Sequence, residues 1–379
     1  MKRRSFLAGA MGGMIAPWAM GQSPAGARLV RPDPSTDEGG LWAIMDREEG
    51  KLRRSPFILH DEALHDYIQG IACRLAGDHC ADVRLHLVRN RAFNASMAPN
   101  GMMQVWSGLM LRVDNEAQLA AVLGHEIGHY LERHSIASMR DIKSRSAVAS
   151  VLSVFGLVGA LGGVAAVAGA YGYSRDNERQ ADEIGLQLMS RAGYDPSEAA
   201  RVWENLLLEA RADPNKPDGK AGGMFATHPP IEERKENLTR IAAGLPKGET
   251  NEAQWLQMTA KYRLEWLNEE CKRGRFAESM VLLNRLVARN PGMAVYQYAR
   301  AEIHRLRGND GDLDIAMKDY QGAQAVSGEP AETHRGLGLI YRQRQQWELA
   351  KASFTQYLRM APDASDVMFI KSYIEEMKA

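Results

Sequence analysis

The spacing of apolar positions changes several times along the chain. Between about residues 41 and 76 the apolar residues recur at helical spacing, and residues 83–88 then alternate as a β-strand does. Pro99 and Asn100-Gly101 interrupt the pattern before residues 102–106, which predict a second strand. Helical spacing returns from Asn115 onward. These patterns predict a mainly α-helical (α+β) architecture that contains a small sheet.

One long segment, residues 146–174, carries no charged side chain and is the most apolar part of the chain. It is long enough for one crossing of a bilayer but too short for a helical hairpin that crosses twice, which needs roughly forty residues. A single crossing would separate the residues before and after it on opposite membrane faces. Three interpretations stay open: a buried helical hairpin, an element that touches a membrane surface, and a true span.

The last third of the chain is repetitive. Ala316 and Tyr320 recur 34 residues later as Ala350 and Phe354, and Leu337-Gly338 precedes the second pair. A period of 34 with small residues at these positions is typical of tetratricopeptide (TPR) repeats, so the region predicts an α-helical solenoid. A plain helical bundle is the alternative.

The N-terminus reads as an export signal. Residues 1–21 combine a basic start, a short apolar stretch and the small-residue site Ala19-Met20-Gly21. Arg3-Arg4 resembles a twin-arginine signal, and an ordinary Sec signal is the alternative. Residues 22–40 are rich in Pro and Gly, which predicts a flexible segment. The expected location is therefore the periplasm.

Composition narrows the choice of function. The 45% hydrophobic and 25% charged residues are those of an ordinary globular protein. Because 47 basic residues balance 47 acidic ones, nothing indicates binding to nucleic acid. Cys73 and Cys80 could form a disulfide in an oxidising compartment and leave Cys271 free, or all three could be reduced and buried. Their spacing predicts no metal site.

The sequence His125-Glu126-Ile127-Gly128-His129 lies within a helical pattern. Residues i and i+4 share a helix face, so His125 and His129 can bind a single Zn²⁺. Glu126 can reach a water molecule that the metal activates, take its proton during attack on a carbonyl, and pass the proton to the leaving amine. The motif predicts a metallopeptidase with one zinc ion per chain.

A catalytic zinc has three protein ligands and an open position, so a third ligand is expected. Glu178 and Asp182 are spaced to share one helix face further along the chain. We expect Glu178 to be the third ligand. Asp182 can accept the free N–H of a liganding histidine and thereby fix its tautomer.

His228 stands between Thr227 and Pro229-Pro230 and is followed by Arg234. A rigidly held histidine near the zinc could donate to the oxyanion of the tetrahedral intermediate. It could instead be a fourth zinc ligand that holds the enzyme inactive, and a capped helix start is the structural alternative. Glu126, His228 and Arg234 are the catalytic candidates.

The strand residues supply a candidate for substrate binding. An exposed edge strand beside the zinc would hold an extended substrate through main-chain hydrogen bonds. The residues expected in this edge strand are Asn94, Ala95, Met102, Met103, Gln104 and Val105. A strand of the core is the alternative.

Together these motifs resemble the gluzincin metallopeptidases that include the CAAX prenyl endopeptidases and the HtpX proteases. The resemblance covers about residues 41–245 and rests on Asn94-Ala95, Gly108-Leu109, the HExxH motif, Glu178 with Asp182, and His228-Pro229-Pro230 with Arg234. It implies a zinc peptidase domain over residues 41–250, followed by the TPR-like region at 251–379.

Within this family the added repeats make the chain most similar to the periplasmic BepA type, the β-barrel assembly-enhancing proteases. That similarity implies proteolysis of misassembled outer-membrane β-barrel proteins, and repeats that dock the barrel assembly machinery or the substrate. Ser96 departs from the aromatic residue that many members carry after Asn-Ala.

Two rival functions remain. The first is a chaperone or scaffold for outer-membrane protein assembly, whose zinc site is structural or latched shut by His228. Glu126 argues against a structural site, because such a site has no use for a general base. The second is an integral membrane protease anchored by residues 146–174.

Overall fold

The computed structural model describes residues 30–141, 173–213, 228 and 232–377. The predicted export signal, nearly all of the uncharged segment, and Pro229 and Pro230 beside His228 lie outside the described residues. The described parts are mainly helical with one small sheet, which confirms the predicted fold class. None of the described helices combines the length and apolar character needed to cross a membrane.

The α-helices of the described parts are numbered here in chain order. The bounds are α1 Asp37–Leu52, α2 Glu62–Ala76, α3 Ser107–Arg112, α4 Glu116–Leu131, α5 His134–Asp141, α6 Arg175–Arg191, α7 Ser197–Arg211, α8 Glu232–Ala242, α9 Glu252–Cys271, α10 Phe276–Arg289, α11 Ala294–Arg307, α12 Asp312–Gln324, α13 Ala331–Gln343, α14 Trp347–Met360 and α15 Val367–Glu376. Helix α1 begins inside the segment predicted to be flexible, because the Thr36 side chain caps it by accepting the N–H of Gly39.

The sheet has three strands, β1 Arg84–Val88, β2 Ala95–Met97 and β3 Met102–Trp106, in the order β1-β3-β2. Strand β3 is central: it pairs in parallel with β1 and antiparallel with β2. Both strands predicted from alternation are therefore present. The order leaves β2 at an edge, and helix α4 packs against it.

Helix α4 is fixed at its start by polar contacts. The Asn115 side chain caps it by accepting the N–H of Gln118 at 2.8 Å. The buried carboxylate of Glu116 accepts hydrogen bonds from the hydroxyls of Tyr67 and Tyr194, each at 2.5 Å. Because these tyrosines lie on α2 and just after α6, the start of α4 is joined to two neighbouring elements.

Small residues allow α4 and α6 to pack closely. Gly128 of α4 faces the backbone of Ala181, and Gly124 faces that of Gly185 on α6. A Cβ added at Gly128 would lie 3.0 Å from the Ala181 carbonyl oxygen, so the contact leaves no room for a larger residue.

The C-terminal part consists of paired helices, α11 with α12 and α13 with α14, followed by α15. Ala316 and Ala350 are fully buried, and Gly338 packs against the ring of Phe354, as small residues at helix crossings should. One cluster of buried apolar residues extends from Leu64 to Ile340. The boundary near residue 250 and the TPR assignment remain predictions. Cys73 and Cys80 form a disulfide, and Cys271 is free and buried.

Candidate metal centre

Helix α4 presents the two histidines of the HExxH motif to one buried point. The Nε2 atoms of His125 and His129 are 3.1 Å apart, as expected for residues one helical turn apart. Burial, together with Arg234, lowers the pKa of His125 to about 4, and burial holds the pKa of His129 well below its usual value. Both rings are therefore neutral, the form that binds a metal.

Helix α6 brings Glu178 and Asp182 to the same point. Glu178 Oε1 lies 3.3 Å from His129 Nε2, and Asp182 Oδ1 lies 2.9 Å from His125 Nδ1. Asp182 thus accepts the N–H on the far side of His125 and leaves Nε2 free for a metal. Burial raises the pKa of Glu178, but the lowering effect of His228 and Arg234 is larger, so the pKa lies well below its usual value and the carboxylate is ionised.

His228 completes the cluster. Its Nδ1 lies 2.7 Å from Glu178 Oε1 and 3.1 Å from His125 Nε2. Burial lowers the pKa of His228, but Glu178 and Glu126 raise it more. These distances place the His228 ring beside the three predicted ligands. On its other side, His228 Nε2 is 3.7 Å from Glu126 Oε1.

The four donor atoms suit a tetrahedral ion. Those of His125, His129, Glu178 and His228 all lie within 4.8 Å of one another, and the four residues are buried. Ligands about 2.0–2.1 Å from a tetrahedral zinc are separated from each other by about 3.3 Å, close to the distances above. Imidazole nitrogens with one carboxylate form a donor set that zinc accepts.

Glu126 has the environment of a general base. Burial, reinforced by Glu178, raises its pKa to about 7 against the lowering effect of His228, Arg234 and the backbone N–H of Met97. Its Oε1 has no hydrogen-bond partner among the described residues, although it is buried. A buried carboxylate oxygen without a partner can accept a proton from a water molecule in the site.

Arg234 of α8 supports the cluster from behind. Its guanidinium donates to Asp182 through Nε at 2.7 Å and Nη2 at 2.6 Å, and Nη1 lies 2.9 Å from Glu178 Oε2. It also stacks on the Trp203 ring, with Cζ 3.8 Å from the ring centre. These contacts position Asp182 and Glu178. The predicted catalytic part of Arg234 stays a prediction.

The predicted edge strand is wrong for Met102, Met103, Gln104 and Val105. These residues form the central strand β3, hydrogen-bonded on both sides and buried. The edge beside the site is β2, which contains Ala95 and follows Asn94. Because Asn94 and Ala98 bond to β3, the backbone groups of Ala95 and Met97 point to the other side, and Met97 N–H contacts Glu126.

Within the described residues, the site also contains side chains that the sequence did not predict there. His134 Nδ1 lies 2.9 Å from His129 Nδ1. The ring of Tyr173 stacks on His129 with 4.0 Å between ring centres, and its hydroxyl is 2.6 Å from Ser135 Oγ. Their only signal in the sequence is closeness to the motifs: His134 follows His129 by five residues, and Tyr173 precedes helix α6.

Comparison with known proteins also indicates a metallopeptidase. Residues 59–242 match the profile of peptidase family M48. The chain is 31% identical over 247 residues to the β-barrel assembly-enhancing protease of Escherichia coli K12, covering 58% of this chain and 49% of that protein. It is also 34% identical over 158 residues to the metalloprotease YcaL of E. coli K12, covering 40% of this chain and 59% of the relative.

A mitochondrial relative matches the same part. The chain is 33% identical over 170 residues to the mitochondrial metalloendopeptidase OMA1 of Schizosaccharomyces pombe, covering 44% of this chain and 47% of that protein. The chain spans about half the length of most of the curated relatives it matches. These matches confirm the resemblance drawn from the motifs: residues 59–242 are similar to peptidase family M48 and to the metallopeptidases among the matched relatives.

Proposed function

We propose that this protein is a zinc-dependent endopeptidase that hydrolyses peptide bonds of misfolded or misassembled envelope proteins. The observation that carries the proposal is the convergence of four side chains that can bind a metal beside Glu126 Oε1, which has no hydrogen-bond partner in the part of the chain that the structure describes. A structural zinc site needs no such carboxylate, whereas peptide hydrolysis needs a base at that position.

His125, His129 and Glu178 would hold the zinc, one ion per chain. Zinc held there would polarise a water molecule and the substrate carbonyl. Asp182 keeps His125 in the tautomer that presents Nε2, and Arg234 keeps both carboxylates in place. The chain's own contribution is thus a neutral, pre-oriented set of ligands in a buried site.

Glu126 would take the proton from the attacking water and deliver it to the leaving amine nitrogen. A pKa of about 7 favours both transfers near neutral pH. The backbone groups of Ala95 and the Met97 carbonyl turn away from β3, and they would pair with an extended substrate once the contacts that bury both residues are released. Met97 N–H contacts Glu126, so a chain bound there would pass over the base.

His228 favours a latched state of this enzyme. Its Nδ1 is as close to the other donors as they are to one another, so with zinc it would fill the fourth position. A tetrahedral zinc with four protein ligands has no position left for water. In that state the protein would act as a chaperone or scaffold, the second candidate function, until His228 leaves.

The substrate class rests on the relatives and on the sequence. A β-barrel assembly-enhancing protease is among the matched proteins, and residues 1–21 have the pattern of an export signal. We therefore expect a periplasmic enzyme that acts on outer-membrane β-barrel proteins. The C-terminal helix pairs, as TPR-like repeats, would dock the substrate or the barrel assembly machinery, and residues 146–174 could contact the membrane surface.

The test compares the protein with its Glu126→Gln variant. Zinc content would be measured in each, together with cleavage of unfolded casein and of an unfolded β-barrel protein. We expect equal zinc in both and cleavage by the wild type, reduced in the variant at least about a thousandfold because the general base is lost. Absence of zinc from the wild type would reject the proposal. Zinc without cleavage by either protein would favour the latched scaffold.

A further inference from the structure

The two motif histidines differ in what holds them from behind. His125 Nδ1 faces the carboxylate of Asp182, an ionised partner that Arg234 also binds. His129 Nδ1 faces another imidazole, that of His134, at 2.9 Å. A metal-binding histidine needs an acceptor for its far N–H, because that bond fixes both its tautomer and its ring orientation.

A histidine that binds a metal through Nε2 carries its proton on Nδ1, so His129 Nδ1 must donate and His134 Nδ1 must accept. His134 Nε2 lies 3.1 Å from Gln180 Oε1, which can only accept, so Nε2 carries the proton. His134 Nδ1 is then an acceptor and receives the N–H of His129 Nδ1. Gln180 in turn donates through Nε2 to Glu132 Oε2 at 2.7 Å. Each donor in this series of hydrogen bonds, from His129 to Glu132, therefore has an acceptor.

The backbone is shaped to place His134 behind His129. Helix α4 ends at Leu131, and Arg133 adopts a left-handed φ of 56°, unusual for a residue with a side chain. This turn starts α5 at His134 and returns its ring, only 4% exposed, to the last turn of α4. A bend at a non-glycine residue persists only where surrounding contacts stabilise it.

We propose that His134 is a positioning residue for the metal: it accepts the N–H of His129 and holds the Nε2 of His129 toward the zinc, and its own ring is fixed by the hydrogen bonds through Gln180 to Glu132. The inference rests on the proposed function, since it concerns the zinc of the same site. The two metal-binding histidines of α4 are then held by different kinds of hydrogen-bond acceptor. His125 is held by a carboxylate and His129 by a neutral imidazole, whose acceptor strength depends on the ring keeping one tautomer.

The experiment measures zinc affinity in the full chain by competition with a chromogenic chelator, and thermal unfolding of the metal-free protein. In His134→Leu the acceptor is removed, and we expect zinc affinity to fall about 10–100-fold. In His134→Asn the amide oxygen stands near the position of Nδ1 and can accept the same hydrogen bond, so most of the affinity should return. The visible spectrum of the cobalt-substituted protein should change in His134→Leu and return toward the wild-type form in His134→Asn.

His334→Leu is the matched control, because His334 is also a buried histidine bonded to a glutamine, Gln324, but lies on α13 away from the metal ligands. It should leave zinc affinity unchanged. Equal zinc affinity in wild type and His134→Leu overturns the inference while leaving the proposed function intact. A loss of affinity that His134→Asn does not restore also overturns it, since that result indicates packing. A wild type without zinc rejects the proposed function itself.

Discussion

At the scale of single residues, His228 has the strongest influence on whether the site can react. It lies within reach of both Glu178 and Glu126, at 2.7 and 3.7 Å. With zinc bound by the other three candidate ligands, His228 and a water molecule would therefore compete for the fourth position on the metal. A fourth ligand that leaves and returns would make the fraction of open enzyme set the observed rate.

His228→Ala tests this directly. If the ring is a latch that keeps about nine molecules in ten closed, its removal should raise the rate of casein cleavage about tenfold. The three remaining donors should still retain zinc. The double variant His228→Ala, Glu126→Gln should be inactive, which would assign the gained activity to this site. A fall in kcat with KM unchanged would instead identify His228 as the oxyanion donor.

The residues that could be predicted from sequence are those set by local geometry. His125, His129, Glu178 and Asp182 follow from the period of a helix, and the structure brings them together as expected. His134 could not be found this way, because its position depends on the left-handed turn at Arg133, which no pattern of apolar residues encodes. Trp203 reaches the site only through packing of distant elements.

At the scale of elements, the contact between α4 and α6 sets the distance between the histidines and Glu178. Gly128→Ala would place a Cβ 3.0 Å from the Ala181 carbonyl oxygen and 3.1 Å from its Cα. Because both neighbours are backbone atoms, the helices must separate by a few tenths of an ångström. We expect a loss of about 1–3 kcal/mol in stability and weaker zinc binding, measured by thermal unfolding and chelator competition.

Gly70→Ala is the matched control for this prediction. Gly70 lies within α2, is exposed, and has nothing within 4 Å of an added Cβ. Alanine there should stabilise the helix by about 0.5–1 kcal/mol and leave zinc affinity unchanged. If both substitutions change stability in the same direction, close packing of α4 on α6 is not the cause.

The strand order explains why the predicted edge strand is wrong for residues 102–105. The sequence predicts both strands, but strand order depends on pairing between segments and not on the pattern within one of them. The patterns within the segments do not show that β3 lies between β1 and β2, so the prediction combines residues 102–105 of β3 with Asn94 and Ala95 in one edge strand. A strand buried on both faces and hydrogen-bonded on both edges is expected to be mainly apolar, and β3 is buried at all its positions and apolar at all but Gln104.

At the scale of the whole molecule, the peptidase domain and the helices that follow it share a core. The 34-residue repeat in the last third of the chain predicts a separate region, but contacts between distant segments are not visible in a repeat pattern. A buried ion network joins the parts: Arg112 of α3 donates to Glu209 of α7 at 2.8 Å and to Glu270 of α9 at 2.9 Å. A movement of the repeats would therefore have to break charged contacts beside α3.

Arg112→Met tests how strongly this network stabilises the protein. It leaves Glu209 and Glu270 buried with fewer partners, and removing one member of a buried ion pair costs about 3–5 kcal/mol. Urea unfolding at pH 7 should show this loss. Arg211→Met is the control, because Arg211 pairs with Glu232 at the surface and its removal should change the unfolding midpoint little.

The pH dependence of the same comparison separates charge from packing. Burial raises the pKa of Glu270, but Arg112 and Arg273 lower it more, so the folded-state pKa lies below the usual 4.5. The ion network therefore contributes its stability above about pH 4.5, and that stability is lost as the pH falls toward the lower folded value. In Arg112→Met the buried carboxylate of Glu270 loses the cation that most favours its ionised form, so protonation of Glu270 relieves part of the cost. The difference in unfolding free energy between wild type and variant should consequently shrink as the pH falls from 7 to 4, whereas a difference due to packing alone would stay constant.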